Sequence, residues 1–181
     1  MKAMEHMKAH PRSDEFNTLL FWHGPLSQWW YSPFEVDGTE YNCAEQYMMV
    51  TKARMFGDAK AETSILNMKG PHTSQHDFGQ RYPNKQREMG RRVKNFCPIA
   101  WHAVARDVVT RGNLAKFSQN DELLACLMYT RKYTLVESSP LDQLWGTGLA
   151  EDEPGAFNPA KWHGRNWLGQ VLTELRNGVI L

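Results

Sequence analysis

The sequence predicts a mainly helical α+β fold, a multihelical domain with a small, mostly antiparallel β-sheet. Three observations predict it. Helical apolar spacing with start and stop residues recurs over 42–56, 98–117 and 166–176. Strand-like runs are few and short, the longest at 18–22 and 133–137. Between two further short runs sits Asp37-Gly38, which supplies the positive φ angles of a tight hairpin turn.

The elements follow in order. Residues 18–22 (TLLFW) read as a buried strand, and Gly24-Pro25 as a turn. Residues 34–36 and 39–41 are the two arms of the hairpin. Asn42 is a good N-cap, and Glu45 three positions on completes a capping-box pattern. That helix runs to about Phe56, where Gly57-Asp58 ends it. A shorter helix covers 59–68. Residues 70–84 (GPHTSQHDFGQRYPN) are rich in turn formers and lack a period, so they read as a loop or insertion. A helix follows over 87–95. Pro98 suits the first turn of a long helix whose apolar stripe is Ile99, Trp101, Val104, Ala105 and Val108, with 113–117 continuing or restarting it. Asp121 caps a helix to Tyr129, 133–137 (YTLVE) is a strand, and 138–161 is a long loop rich in Gly, Pro, Asp and Trp. The last helix covers 166–176.

At 181 residues the chain fits one domain with a sizeable core. Residues 1–15 read as a flexible tail and 16–181 as the domain. With 21 Lys+Arg against 20 Asp+Glu, binding to nucleic acid or membrane through bulk charge is disfavoured. No apolar run nears a membrane span, and the N-terminus lacks a signal-type core. Cys43, Cys97 and Cys126 are odd in number and never paired as C-x-x-C, which fits reduced thiols and a cytoplasmic or nuclear, non-secreted protein. Seven tryptophans are many for this length, either core or stacking surface for flat rings.

Glu45 and Lys52 are the first candidate pair. Seven positions advance a helix by about 700°, which puts the two side chains within ~20° of one face, two turns apart. Glu45 is either a capping side chain returning to Asn42 or a proton-transfer group. Lys52 is either solvent-facing or, since Met48, Met49, Met55 and Phe56 wrap the helix in apolar surface, a lysine with a lowered pKa and nucleophilic character. The second constellation is SSPLDQLWGTGL, residues 138–149. Asp142 is a free carboxylate or a helix cap. Trp145 is a stacking surface or a core anchor, and Gly146 and Gly148 leave room for a ligand at the backbone. Third, Arg165 and Asn166 precede a helix and form either an anion site or an ordinary cap beside an exposed arginine. Arg91, Arg92 and Lys94 meet phosphate or solvent. His72, His76 and Asp77 have a metal-like composition without a further ligand set, so no metal site is expected. Ser27 lacks the context of a hydrolase nucleophile.

Together these stretches resemble the NADAR (YbiA-like) family. The resemblance rests on GPLSQWWYSPFEVDGTEYNCAEQYMMVTKA, GRRVKNF, Trp101, GNLAKFSQN, LVESSPLDQLWGTGL and GRNWLGQVLTELR, in that order, from about residue 21 to 176. Gln46 stands where a histidine often follows the glutamate, and 71–84 is longer than in compact members. The resemblance implies an N-glycosidase acting on ribose-linked amines. The leading substrate is ADP-ribosylated guanine in nucleic acid, and the alternative is the phosphoribosylamino-pyrimidine intermediates of riboflavin synthesis. It also implies Glu45, Lys52 and Asp142 as catalytic groups, with Trp145 and Trp101 at the base. Gly146, Gly148, Arg165 and Asn166 are the further substrate-binding candidates, the last two for a diphosphate. No cofactor or metal is expected. The expected partner is an ADP-ribosylated nucleic acid or an ADP-ribose-containing small molecule. Outside the enzymes, a non-catalytic ADP-ribose-binding module or a plain interaction domain remains in competition.

Overall fold

The structure is a computed structural model that describes residues 3–69 and 75–178, and the chain divides into two compact units. One consists of residues 28–120, the other of the segments before and after it.

In the unit of residues 28–120, β3 (Phe34–Val36) and β4 (Thr39–Tyr41) form the antiparallel hairpin, turning through Asp37 and Gly38 at φ 52° and 73°. The hairpin feeds α2 (Ala44–Met55), which packs against α3 (Ala59–Leu66), α4 (Gln75–Arg91) and α5 (Pro98–Ser118). Being surrounded explains why every residue from Ala44 to Val50 is buried. Asp58 caps α3 by accepting from the Ala61 N–H at 3.1 Å.

Three expectations need correction here. Residues 75–84 are not a loop but the first half of α4, with Pro83 inside the helix. Local propensity gives way to packing, since Phe78, Pro83, Gln86 and Gly90 are buried and a Cβ at Gly90 would collide with Met49 of α2. Asn42 is not the N-cap of α2. Cys43 holds that place without a side-chain bond, while the Asn42 side chain donates to the Met68 carbonyl and accepts from Gln86. Gln46 takes the reach-back role foreseen for Glu45, accepting the Asn42 N–H at 2.8 Å. The stripe of α5 is shifted too. Trp101, Ala105, Val109, Gly112 and Lys116 are buried, whereas Ile99 is 84% exposed.

In the other unit, β1 (Arg12–Ser13) pairs antiparallel with β2 (Thr18–Phe21), and β2 pairs in parallel with β5 (Thr134–Glu137). α6 (Asp121–Tyr129) and α7 (Trp167–Gly178) complete it, with α7 against β5. All four residues of β2 are buried, as its run of apolar residues requires. The residues read as a flexible tail carry α1 (Ala3–Lys8) and β1. Met7 is fully buried, and the Ala3 N–H donates to Glu122 of α6 at 2.9 Å. Among the described residues no helix is long and apolar enough to cross a membrane.

Candidate active site

The candidate groups fall in both units. In the unit of residues 28–120, α2 carries Glu45 in its first turn and Lys52 near its end, both buried. Lys52 Nζ lies 3.9 Å from the centroid of the Phe96 ring and 5.7 Å from that of Trp101. Ring faces carry negative charge density and seat a cation. Phe96 belongs to the turn between α4 and α5 and is braced edge-on by Phe56 at 5.3 Å. Trp101 is buried on the first turn of α5. Burial lowers the Lys52 pKa, Glu45 opposes the shift and Arg91 adds to it. The ammonium is thus weakened chiefly by desolvation while rings and a carboxylate hold it in place. Sequence reasoning brought Glu45, Lys52 and Trp101 together and missed Phe96, whose only sign was its place in GRRVKNF. A cavity of about 550 Å³ in this unit, bordered by Tyr31, Phe34, Glu35, Glu40 and Lys69 among others, includes none of Glu45, Lys52 or Trp101. Glu45 and Lys52 lie on α2 outside that lining, whereas Gln46 of the same helix belongs to it.

In the other unit, residues 143–147 lie against 163–168 through main-chain bonds. The N–H groups of Arg165, Asn166, Trp167 and Leu168 donate to the carbonyls of Gln143, Gly146, Leu144 and Trp145 at 2.9–3.2 Å. Asp142 Oδ1 accepts the N–H groups of Leu144 and Trp145 at 2.9 and 2.8 Å, which fixes the turn that presents Trp145. Trp145 is half-buried, with Trp167 packed edge-on at 5.6 Å. The fold itself requires glycine at both positions, 146 and 148. A Cβ on Gly146 would come within 2.9 Å of the Glu137 carbonyl, and Gly148 sits at φ +72°. Asn166, buried at φ 52°, accepts from the Glu137 N–H and donates to the Leu135 carbonyl, so its side chain ties the loop to β5. The N–H groups of Trp167 and Leu168, which open α7, are therefore taken by loop carbonyls, so of the two readings the structure favours the cap beside an exposed arginine. Arg165 stays exposed, with its guanidinium 5.9 Å from the Trp167 ring.

Among the described residues, no three His, Cys, Asp or Glu side chains are grouped to hold a metal. His72 lies outside the described residues, as do the side chains of His76 and Asp77.

A buried lysine beside two aromatic rings, on the helix face that also carries a buried glutamate, is an arrangement that can transfer protons or attack electrophilic carbon. The sequence matches the NADAR domain over residues 20–179, and the chain belongs to that family. It is 36% identical over 176 residues to an N-glycosidase of Acanthamoeba polyphaga mimivirus, covering 90% of this chain and 96% of that one. Protein irg-1 of Caenorhabditis elegans is 34% identical over 140 residues, with this chain spanning 60% of its length. The NMR structure of the Escherichia coli protein YbiA superposes with a TM-score of 0.69 at 27% identity, over 97% of this chain and 89% of that one.

Proposed function

We propose that this chain is an N-glycosidase that hydrolyses a ribose C1′–N bond, releasing ADP-ribose from ADP-ribosylated guanine. One observation carries the chemistry: Lys52, its pKa lowered by burial, is seated between Phe96 and Trp101 on the helix face that bears Glu45. The N-glycosidase class is supported by the family and by the names of its relatives.

Cleavage requires a proton on the departing amine and relief of positive charge at C1′. In the covalent route, the ribose ring opens as the C1′–O4′ bond breaks and O4′ takes a proton. The Lys52 amine adds to C1′, and the guanine amine leaves with a proton delivered by Glu45. The resulting C1′=Nζ imine adds water, frees Lys52 and returns the sugar, so one water is consumed per bond. In the direct route, Glu45 activates water and Lys52 acts only through its charge. Borohydride separates the two, because only an imine is reduced to a stable protein adduct. The assignment of Asp142 to the ribose and Trp145 to the base follows the family resemblance, and that of Arg165 to the diphosphate follows from its exposed guanidinium beside Trp167. Gly146, Gly148 and Asn166 support those groups by shaping the loop.

Turnover of a guanosine-ADP-ribosylated DNA oligonucleotide, wild type beside Glu45→Ala and Lys52→Ala, tests the reading. Unmodified DNA released by wild type and by neither variant supports it. Inert oligonucleotide with turnover of phosphoribosylamino-pyrimidines would replace the substrate. ADP-ribose binding without any turnover would replace the activity by a binding role.

A further inference from the structure

Lys116 of α5 is fully buried, at 0% exposure. A lysine at that depth keeps its charge only beside a carboxylate, because an unpaired ammonium there costs several kcal/mol. Among the described residues of its unit, two carboxylate side chains are buried, Glu45 and Asp58. Asp58 is engaged beyond the far end of α2, where its two oxygens accept the N–H groups of Ala61 and Lys94.

The helix register sets the other acid, Glu45, level with Lys116 along the axes of α2 and α5. Trp101 near the start of α5 reaches Lys52 near the end of α2, and a Cβ on Gly112 would lie 2.5 Å from the Tyr47 ring, so α2 and α5 run antiparallel. One turn further along α5 is Lys116, and one turn back along α2 is Cys43, two residues from Glu45. The Cys43 thiol responds to both charges. Burial pushes it up to about 12, with the Glu45 carboxylate raising it and the Lys116 ammonium opposing. The backbone at Glu45 is tied to the same turn of α5: the Glu45 N–H donates to the Gln28 carbonyl at 3.1 Å, and Gln28 Oε1 accepts from Asn113 at 2.8 Å.

We propose that Lys116 is the counter-charge of Glu45, a positioning residue that, with Lys52, holds the carboxylate ionised between two ammonium groups. Glu45 then enters the reaction as a proton acceptor. It takes a proton from water or from Lys52 before passing one to the departing amine. This deepens the N-glycosidase reading and rests on it for the role of Glu45, whereas the ion pair itself does not.

The test has two arms. The first is a urea-unfolding cycle of Glu45→Gln, Lys116→Met and the double variant, which needs no substrate. Each single variant should lower the midpoint, and the double should recover most of the loss; additive losses overturn the pair. If Lys116→Met alone does not fold, recovery of folded double variant supports the pair, and continued failure counts against it. The second arm is the pH profile of kcat/KM. In Lys116→Met the acid limb should move up by roughly one pH unit, and Lys116→Arg should return it. An unmoved limb overturns the role in catalysis. Absence of turnover with any ribosylated substrate removes the N-glycosidase reading and leaves the pair to the unfolding cycle.

Discussion

Two stretches of this chain, the α2 face and the loop of residues 138–149, each set a carboxylate near aromatic residues, and they use that chemistry differently. On α2, the Lys52 ammonium faces the Phe96 and Trp101 rings and interacts with Glu45. In the loop, Asp142 Oδ1 holds two N–H groups, Asn166 bridges to β5, and the close glycines let backbones touch. A polar side chain bonded to main-chain groups fixes shape. A charge held by rings and other charges keeps its reactivity, since neither kind of contact consumes the amine lone pair once the proton leaves.

The sharpest way to break that contrast is Lys52→Met, which keeps the apolar stem and removes the amine. Single-turnover cleavage of the ribosylated oligonucleotide should fall by roughly 10²–10⁴-fold, the usual span for a positioned acid–base group. The urea midpoint should stay near wild type. Activity within a few-fold of wild type would make the α2 face as structural as the loop.

The next effect tests a buried group of the other unit. His10 is 7% exposed, and burial chiefly, then His6, Arg12 and His23, lowers its pKa to about 4. Unfolded, it titrates near 6.5, so between those values the unfolded chain binds more protons. Stability is therefore full above pH 6.5 and falls as pH drops through 4, by on the order of 3 kcal/mol. Urea midpoints from pH 7 to 4 should show that slope in wild type and a flatter one in His10→Leu. Equal slopes would remove His10 as its source.

The loop gives the third. Asp142→Ala leaves two N–H groups without their acceptor and should cost about 1–3 kcal/mol. Asp142→Asn keeps the acceptor and should restore most of the midpoint. If the carboxylate also touches the ribose, the Asn variant recovers stability but not kcat. Recovery of both would confine Asp142 to holding the turn.

What the sequence revealed follows the range of the forces involved. The hairpin was legible because Asp37 and Gly38 set it locally. The burial of Lys52 was legible in part: of the Met48, Met49, Met55 and Phe56 expected to wrap the helix, Met48 and Met49 are buried, whereas Met55 is exposed and the rings beside Lys52 come from elsewhere in the chain. The helix through Pro83 was not, because its support comes from Met49 against Gly90 and from Asn42 against Gln86, residues 41 and 44 positions apart along the sequence. Lys116 reads as an ordinary solvated helix lysine until it is set on the stripe of Ala105, Val109 and Gly112, whose spacing of four, three and four reaches it. That spacing was the available signal. The aims of Gly146 and Asn166 were beyond reach, since their partners are carbonyls and N–H groups that no pattern of side chains announces.

The smallest predicted effect discriminates most finely between the two roles of Lys52. Phe96 is 38% exposed, so its attraction for the ammonium is worth about 0.5–1 kcal/mol, and Phe96→Leu should lower the Lys52 pKa further. If the free amine attacks C1′, a lower pKa raises the reactive fraction at neutral pH. The rise of the pH–rate profile then moves to lower pH. If Lys52 acts only as an ammonium, the same substitution brings forward the loss of rate on the alkaline side. The ring is therefore a lever on the proton of Lys52. A profile that does not move in either direction would mean that the aromatic seat holds the lysine in place without tuning it, as the loop does for Trp145.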